Sequence, residues 1–309
     1  MINNLFIFAT SLFLVIRGAT MATKHAEIIA ENYHLSKYIV GFIIVAIVSI
    51  LPETFIAINS AIQGIPAFGL GTLFGGNIAD LTLIFAILVL FEKRSLKIES
   101  KIFKNHRVYP SLLFLPIILG FNGHFSRLEG IILIIAGVVF YYLSLKGEVD
   151  GKKESLNKKD KYKSIFMLLF SMTILLVGSH FTVTSATHIA NLIGISPIFI
   201  GMLVVGLGTT IPELVFSLKS VRKNNDSLAV GDILGTVLAD ATIVVGIIAL
   251  INPFFFPQRI IYVTGLFMVA ASFMLFNFMN TGEKITKKEA YMLFVFWLLF
   301  VFVEFIVSV

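Results

Sequence analysis

Residues 41–90 read GFIIVAIVSILPETFIAINSAIQGIPAFGLGTLFGGNIADLTLIFAILVL, and residues 201–250 read GMLVVGLGTTIPELVFSLKSVRKNNDSLAVGDILGTVLADATIVVGIIAL. The two stretches align without a gap at an offset of 160 residues, and each holds a Pro-Glu pair and an Ala-Asp pair. Chance similarity between apolar segments would not align both pairs, which indicates an internal repeat. The matched positions that carry chemistry are Pro52 with Pro212, Glu53 with Glu213, and Asp80 with Asp240.

The composition is typical of a membrane protein. Of 309 residues, 57% are hydrophobic and 14% are charged, whereas soluble proteins have roughly 45–50% apolar and about 25% charged residues. A membrane-spanning helix needs about 20 mostly apolar residues, and the alternating pattern of a membrane β-barrel is absent. The sequence therefore predicts an all-α membrane protein with ten transmembrane helices, at about 3–22, 38–62, 68–91, 108–121, 127–145, 165–190, 198–218, 228–251, 258–278 and 288–308.

The basic residues are sorted by loop. The chain has 24 Lys and Arg residues, and all of them except Arg127 and Arg259 fall at the loops after helices 1, 3, 5, 7 and 9. The positive-inside rule places these loops in the cytoplasm and both termini outside the cell. The net charge of +6 is thus a topology signal and does not indicate a nucleic-acid partner.

Each repeat contains five predicted helices. Because five is an odd number, the second repeat must cross the membrane in the opposite orientation. The predicted units are a first five-helix repeat at 1–145, a charged cytoplasmic linker at 146–163, and a second, inverted repeat at 164–309. In transporters built from inverted repeats, the substrate site lies near the bilayer midplane, where Gly or Pro interrupts the helices.

The repeated acids need a neutralising charge. A carboxylate at the bilayer centre costs on the order of 2.5–3.5 kcal/mol. No Lys or Arg occurs at 38–92, 164–218 or 224–258, so these stretches offer no internal salt bridge. Protons or bound cations are the remaining source of positive charge.

The surrounding residue types favour a hard cation. A helical Pro frees a carbonyl about four residues upstream, and Ser49 and Thr209 share a helix face with the Glu four residues later. Oxygen ligands in a chain without Cys suit Ca²⁺ better than Zn²⁺ or Cu²⁺. The predicted metal ligands are Glu53, Glu213, Asp80, Asp240, Ser49, Thr209, Thr210 and Thr236.

Other polar and small residues have simpler interpretations. Gly71 and Gly75 could permit close helix packing. His180 and His188 are predicted to be packing or interfacial residues, and Glu304 is predicted to be interfacial. Asp232 could either cap helix 8 or lie in a cation pathway.

At these motifs the sequence resembles the cation/Ca²⁺ exchanger superfamily, in particular its prokaryotic Na⁺/Ca²⁺ exchangers. GLGTTIPEL and GDILGTVLADA are similar to the family patterns G-T-S-x-P-E and G-N-x-x-G-S-x-x-x-[ND]. The resemblance implies that Glu53 and Glu213 are the central Ca²⁺ ligands. It also implies that helices 1 and 6 slide across an eight-helix core.

The first repeat departs from the family pattern. It has Val48-Ser49-Ile50 in place of Gly-Thr-Ser, Gly76 in place of a Ser, and Asp80 in place of the usual Asn. The missing hydroxyls are ones that the family uses for Na⁺, and the added carboxylate could carry a proton. H⁺ coupling, or a different divalent ion, is therefore an alternative to Na⁺/Ca²⁺ exchange.

The leading hypothesis is a secondary antiporter in the cytoplasmic membrane that works as a monomer. Its partners are the lipid bilayer and the transported ions, Ca²⁺ with Na⁺ or H⁺, and no other cofactor is predicted. A passive cation channel is a weaker alternative. An intramembrane aspartyl protease, the enzyme alternative, would require a Gly-x-Gly-Asp motif, which neither Asp80 nor Asp240 has. The sequence therefore predicts a transporter and not an enzyme.

Overall fold

The described part of the chain is mostly helical. The computed structural model describes residues 2–30, 46–98, 108–145 and 158–308. The helices are α1 (Ile2–Ala30), α2 (Ala46–Ser49 and Leu51–Ile62), α3 (Pro66–Phe91), α4 (Val108–Leu119), α5 (Arg127–Leu145), α6 (Lys158–Ile193), α7 (Pro197–Arg222), α8 (Asp226–Ile251), α9 (Ile260–Asn280) and α10 (Lys287–Ser308). Four strands of two residues each lie in the loops, β1 (Leu96–Lys97), β2 (His124–Phe125), β3 (Phe254–Phe255) and β4 (Lys284–Ile285).

Within the described residues, seven helices are long and apolar enough to cross a membrane, namely α1, α3, α6, α7, α8, α9 and α10. This confirms the prediction of an all-helical membrane protein. The predicted fourth span, at 108–121, corresponds to a shorter apolar helix. Of the predicted second span, at 38–62, the structure describes only residues 46–62.

The predicted linker at 146–163 also lies largely outside the described residues. The structure resumes at Lys158, where α6 begins, so the last six residues of that segment are helical. They read KKDKYK, with neither Pro nor Gly, and Lys is a good helix former. The helix therefore starts earlier than hydropathy alone predicts.

Local structure recurs at the 160-residue offset. The π-helical turns Asp80–Ile84 and Asp240–Val244 each begin at the repeated Asp. The helices α5 and α10 each begin with a capping box, in which a Ser or Thr hydroxyl oxygen and a Glu carboxylate oxygen each accept a hydrogen bond from the other residue's backbone N–H. The two boxes are Ser126 with Glu129, and Thr286 with Glu289.

The strands join the two halves of the chain. β1 pairs with β4, and β2 pairs with β3, both antiparallel. Each pair therefore takes one strand from the first half and one from the second. This reciprocal exchange ties the two repeats together at two separate places.

The centre of the molecule consists of α3 and α8, which are almost wholly buried. α1 and α6 pack against each other at Gly18 and Gly178, another pair at the 160-residue offset, and both are largely exposed. A Cβ on Gly18 would lie 3.2 Å from Leu175, so this crossing leaves little room for a side chain. The arrangement separates a peripheral helix pair from a buried core.

An ion pair joins the loop after α3 to the first residue of α8. Both Nη atoms of Arg94 donate to Asp226, at 2.6 and 2.7 Å, and one also donates to the Val221 carbonyl oxygen. Asp226 is buried, and its hydrogen bond raises the pKa of Arg94. A second ion pair, Arg222 with Glu92, lies nearby but is mostly exposed.

We expect Arg94→Met to lower the free energy of unfolding by about 2–3 kcal/mol. Removing one partner strands a buried carboxylate, which costs roughly 3–5 kcal/mol for a fully buried pair, but the Arg94 side chain is 33% exposed and the Lys97 N–H still donates to Asp226. Thermal unfolding in detergent measures the change. Arg222→Met is the matched control and should lower the free energy of unfolding by less than about 1 kcal/mol. Equal losses of stability in the two variants would show that the Arg94–Asp226 ion pair is not the more stabilising of the two.

Candidate cation site

Each Pro-Glu pair follows a break in its helix. α2 is interrupted at Ile50 and α7 bends at Thr210, two positions with nearly the same backbone angles, φ −70° and −75° and ψ −7° and −8°. Pro52 and Pro212 follow two residues later and have no N–H to donate. The carbonyl oxygens one turn upstream therefore lose a helical donor and become available as ligands.

The structure brings the four repeated acids together. Glu53, Asp80, Glu213 and Asp240 are each at most 2% exposed. Asp80 interacts electrostatically with Glu53, Glu213 interacts with both of them, and Asp240 interacts with Glu53 and Asp80. The helices that carry these acids are in contact, because the Asp240 turn packs on α2 and α3. Residues that are far apart in sequence thus form one acidic cluster.

Many oxygens in this cluster have no hydrogen-bond partner among the residues that the structure describes. They are Glu53 Oε2, Asp80 Oδ1, both carboxylate oxygens of Glu213, Asp240 Oδ1 and Thr236 Oγ1. A buried polar atom without a partner costs roughly 1–3 kcal/mol, and more if it is charged. Acceptor oxygens without donors fit a site that receives cations.

The predicted hydroxyl ligands differ in their local bonding. Ser49 Oγ donates to Asp232 Oδ1 at 2.8 Å, across from α2 to α8. Thr209 and Thr210 donate to backbone carbonyls one turn back in α7, each at 2.9 Å. A hydroxyl has only one proton to donate, so all three oxygens keep lone pairs that could coordinate a cation.

Carboxylates alone do not complete a metal site. Among the described residues, no group of three or more His, Cys, Asp or Glu side chains converges closely enough to hold a metal ion. Ca²⁺ takes six to eight oxygen ligands. The acids would therefore need the neighbouring hydroxyl and carbonyl oxygens to complete its coordination shell.

Two alternative interpretations from the sequence were wrong. Asp232 does not cap α8, because the helix begins at Asp226 and Asp232 lies fully buried within it. Glu304 is not an interfacial residue, because it is 2% exposed and accepts a hydrogen bond from Thr264. Its position in the last turns of α10 suggested the interface, but packing against α9 covers it.

Other expectations agree with the structure. His180 and His188 are exposed on α6, whereas the four repeated acids are buried. Gly71 and Gly75 pack against the backbone of α7 at Ile198 and Met202. These glycines therefore serve close helix packing.

Sequence reasoning missed two tyrosines beside the site. Tyr109 and Tyr141 are buried, and their hydroxyls donate to the Leu234 and Gly235 carbonyl oxygens of α8, each at 2.6 Å. Both phenols also interact electrostatically with Asp240. Neither has a Tyr at the equivalent position of the second repeat, where Val269 and Val301 stand, so the repeat comparison gave no signal.

An all-helical membrane fold with a buried cluster of acids from two repeats defines a membrane protein of the cation-transporter class. The chain belongs to the sodium/calcium exchanger protein family, whose profile matches residues 3–146 and 163–306. This confirms the resemblance seen in the sequence. The family is one of ion exchangers and not of enzymes.

Two relatives show how far the similarity extends. The sodium/calcium exchanger MaX1 of Methanosarcina acetivorans is 25% identical, with 98% of each chain covered. The inner membrane protein YrbG of Escherichia coli is 26% identical, with 78% of each chain covered. The similarity to MaX1 spans nearly the whole chain.

Solved structures share the fold. The sodium-calcium exchanger NCX_Mj is 22% identical and superposes with a TM-score of 0.72, over 96% of this chain and 97% of that one. The H⁺/Ca²⁺ exchanger CAX is 16% identical and superposes with a TM-score of 0.79, over 98% of this chain and 86% of that one. The fold is thus common to exchangers with either counter-ion.

Proposed function

We propose that this protein is a secondary antiporter that exchanges Ca²⁺ for Na⁺ or H⁺ by alternating access at the acidic cluster. The observation that carries the proposal is the buried cluster of four electrostatically interacting carboxylates, two from each repeat, in which five of the eight oxygens lack a hydrogen-bond partner among the described residues. Family membership supports cation antiport. The ligands proposed are Glu53, Glu213, Asp80, Asp240, Ser49, Thr209, Thr210 and Thr236.

The proposal includes ten membrane spans in two inverted repeats. The pairing of strands between loops of the two halves supports this topology. β1 and β4 follow predicted spans 3 and 9, while β2 and β3 follow spans 4 and 8. A ten-span topology puts both members of each sheet on the same side of the membrane, and puts the two sheets on opposite sides. Omission of a single span among spans 4 to 9 would place β1 and β4 on opposite sides of the bilayer.

The orientation follows from charge. Arg94, Lys97 and Arg222 lie together on the face that carries β1 and β4, and Lys284 is paired there with Lys97. The positive-inside rule makes this the cytoplasmic face and puts both termini outside. The acidic cluster is contained within one chain, which is consistent with function as a monomer.

The counter-ion depends on the first repeat. Ile50 and Gly76 offer no hydroxyl where Thr210 and Thr236 do in the second repeat. Asp80 places an additional carboxylate beside Glu53, and adjacent carboxylates rarely both remain ionised without a cation. These residues favour H⁺ as an alternative to Na⁺, and the shared fold of NCX_Mj and CAX is compatible with either ion.

The test is ⁴⁵Ca²⁺ uptake into proteoliposomes that contain the purified protein. Na⁺ and pH gradients are imposed separately, and the expected result is concentrative uptake under at least one of them. Ionophores that collapse the imposed gradient should abolish this uptake. Uptake that merely equilibrates Ca²⁺ without a counter-gradient would indicate a channel, and transport of another divalent ion alone would remove Ca²⁺ from the proposal.

A further inference from the structure

The two halves of the site differ by one charge. Asp232 of α8 occupies the position that Thr72 occupies in α3, and Ser49 of α2 occupies the position of Thr209 in α7, each at the 160-residue offset. Ser49 donates a hydrogen bond to the Asp232 carboxylate. The equivalent residues, Thr209 and Thr72, instead donate to backbone carbonyls of their own helices. Only one of these equivalent positions therefore carries a carboxylate.

Asp232 lies on the same face of α8 as Asp240. Asp232, Thr236 and Asp240 are four residues apart, so their side chains follow one another along one side of the helix. With a rise of 1.5 Å per residue, Asp232 lies about 12 Å from Asp240 and about 9 Å from Asp226 along the axis. Asp226 is held by Arg94 at the face that bears β1 and β4. Asp232 therefore lies between that face and the acidic cluster.

The surroundings of Asp232 contain oxygen ligands. Thr236, one turn further along, is 1% exposed, and its Oγ1 has no hydrogen-bond partner in residues 2–30, 46–98, 108–145 and 158–308. Ser49 gives its only hydroxyl proton to Asp232 and keeps its lone pairs. Asp80 and Glu213 both interact electrostatically with Asp232. The carboxylate thus extends the acidic cluster toward one face of the protein.

A structural role does not require the charge. An Asn has nearly the same shape and would accept the Ser49 hydrogen bond through its amide oxygen. Burying a carboxylate instead costs free energy unless a cation or several donors compensate it. The sequence has no Lys or Arg at 38–92 or 224–258, in the helices that carry Ser49 and Asp232. A cation held by Asp232 and Ser49 would supply such compensation.

We propose that Asp232, with Ser49 and Thr236, forms an additional cation-binding position on the route between the acidic cluster and the face of β1 and β4. This inference rests on the proposed antiport. It adds that the routes from the two faces of the protein to the acidic cluster differ in charge. The route from the opposite face has Thr72 and Thr209 instead and lacks this charge. Ca²⁺ entering from the β1 and β4 face meets an anionic ligand before it reaches Glu53 and Glu213.

The experiment compares wild type with Asp232→Asn in membrane vesicles of both orientations. Initial rates of ⁴⁵Ca²⁺ uptake give a KM for each face. The variant should raise the KM at the β1 and β4 face about tenfold, which is about 1.4 kcal/mol, and leave the KM at the other face nearly unchanged. Thr72→Ser, a conservative change at the equivalent position, is the matched control and should alter neither KM.

A second variant tests the same proposal if Asp232→Asn does not fold. Asp232→Thr copies the residue that the first repeat tolerates at this position, and it should reduce the difference between the two KM values. Equal KM increases at both faces would make Asp232 a central ligand and overturn the proposal, as would unchanged values at both. Wild-type uptake is measured first in the same vesicles. If the wild type takes up no Ca²⁺, the result contradicts the proposed antiport and not the role of Asp232.

Discussion

Glu213→Gln should abolish Ca²⁺ transport while leaving the protein folded. Glu213 is buried and interacts electrostatically with Glu53, and neither of its carboxylate oxygens has a hydrogen-bond partner within the described part of the chain. Gln keeps the shape but removes one negative charge and one ligand oxygen. We expect uptake to fall by at least about 100-fold, equal to about 2.7 kcal/mol of lost ion binding. Glu53→Gln should behave in the same way, because the repeat places it in the equivalent position.

The measurement is ⁴⁵Ca²⁺ uptake into proteoliposomes, with thermal unfolding in detergent to verify the fold. Glu304→Gln is the matched control, since Glu304 is equally buried but is bonded to Thr264 and lies outside the acidic cluster. This control should retain transport. Both cluster variants should unfold at or above the wild-type temperature, because each removes repulsion among buried carboxylates. Uptake at the wild-type rate in either cluster variant would place the site elsewhere.

Gly75→Ala should destabilise the protein and impair transport, because α3 and α7 touch at this glycine. A Cβ at position 75 would lie 2.8 Å from the carbonyl carbon of Met202, and the carbonyl oxygen is closer still. The obstacle is backbone, which cannot rotate away, so the helices must separate. Overpacking of this kind costs about 1–3 kcal/mol. The displacement would also move the α7 segment that leads to Thr209 and Glu213.

Gly76→Ala is the matched control for packing. Its Cβ would lie 3.7 Å from Thr210 and 3.8 Å from the Gly206 carbonyl oxygen, which are ordinary contact distances. Gly76→Ala should therefore unfold close to the wild-type temperature, whereas Gly75→Ala should unfold at least about 2 °C lower. Differential scanning fluorimetry on the purified proteins measures both. Equal unfolding temperatures would show that α3 and α7 are not in close contact at Gly75.

Much of the fold could be predicted because hydropathy and Pro positions set it locally. The predicted boundaries of α5, at 127–145, match the structure, and those of α3 and α8 differ by two residues at the start. The errors arose where helices continue past the apolar stretch. α6 begins at Lys158 and α1 continues to Ala30, because polar residues without Pro or Gly can extend a helix into water.

The candidate ligands were also largely predictable, because a repeated acid in an apolar helix has few explanations besides a bound cation or proton. The 160-residue repeat alone selected Glu53, Asp80, Glu213 and Asp240, and the structure brings them together. Asp232 was harder to assign. It has no acidic counterpart in the first repeat, so the repeat could not separate a helix cap from a buried ligand.

The sequence by itself determined the membrane class, the internal repeat, the four repeated acids and the family, because composition, periodicity and motif spacing are properties of the chain alone. Only the tertiary structure decided that Ser49 faces Asp232, that Glu304 is covered by α9, and that Tyr109 and Tyr141 bond to α8. Each of these depends on which face of one helix meets another. Apolar stretches that are hydrophobic on all sides do not encode that choice locally, since it is set by packing between distant segments.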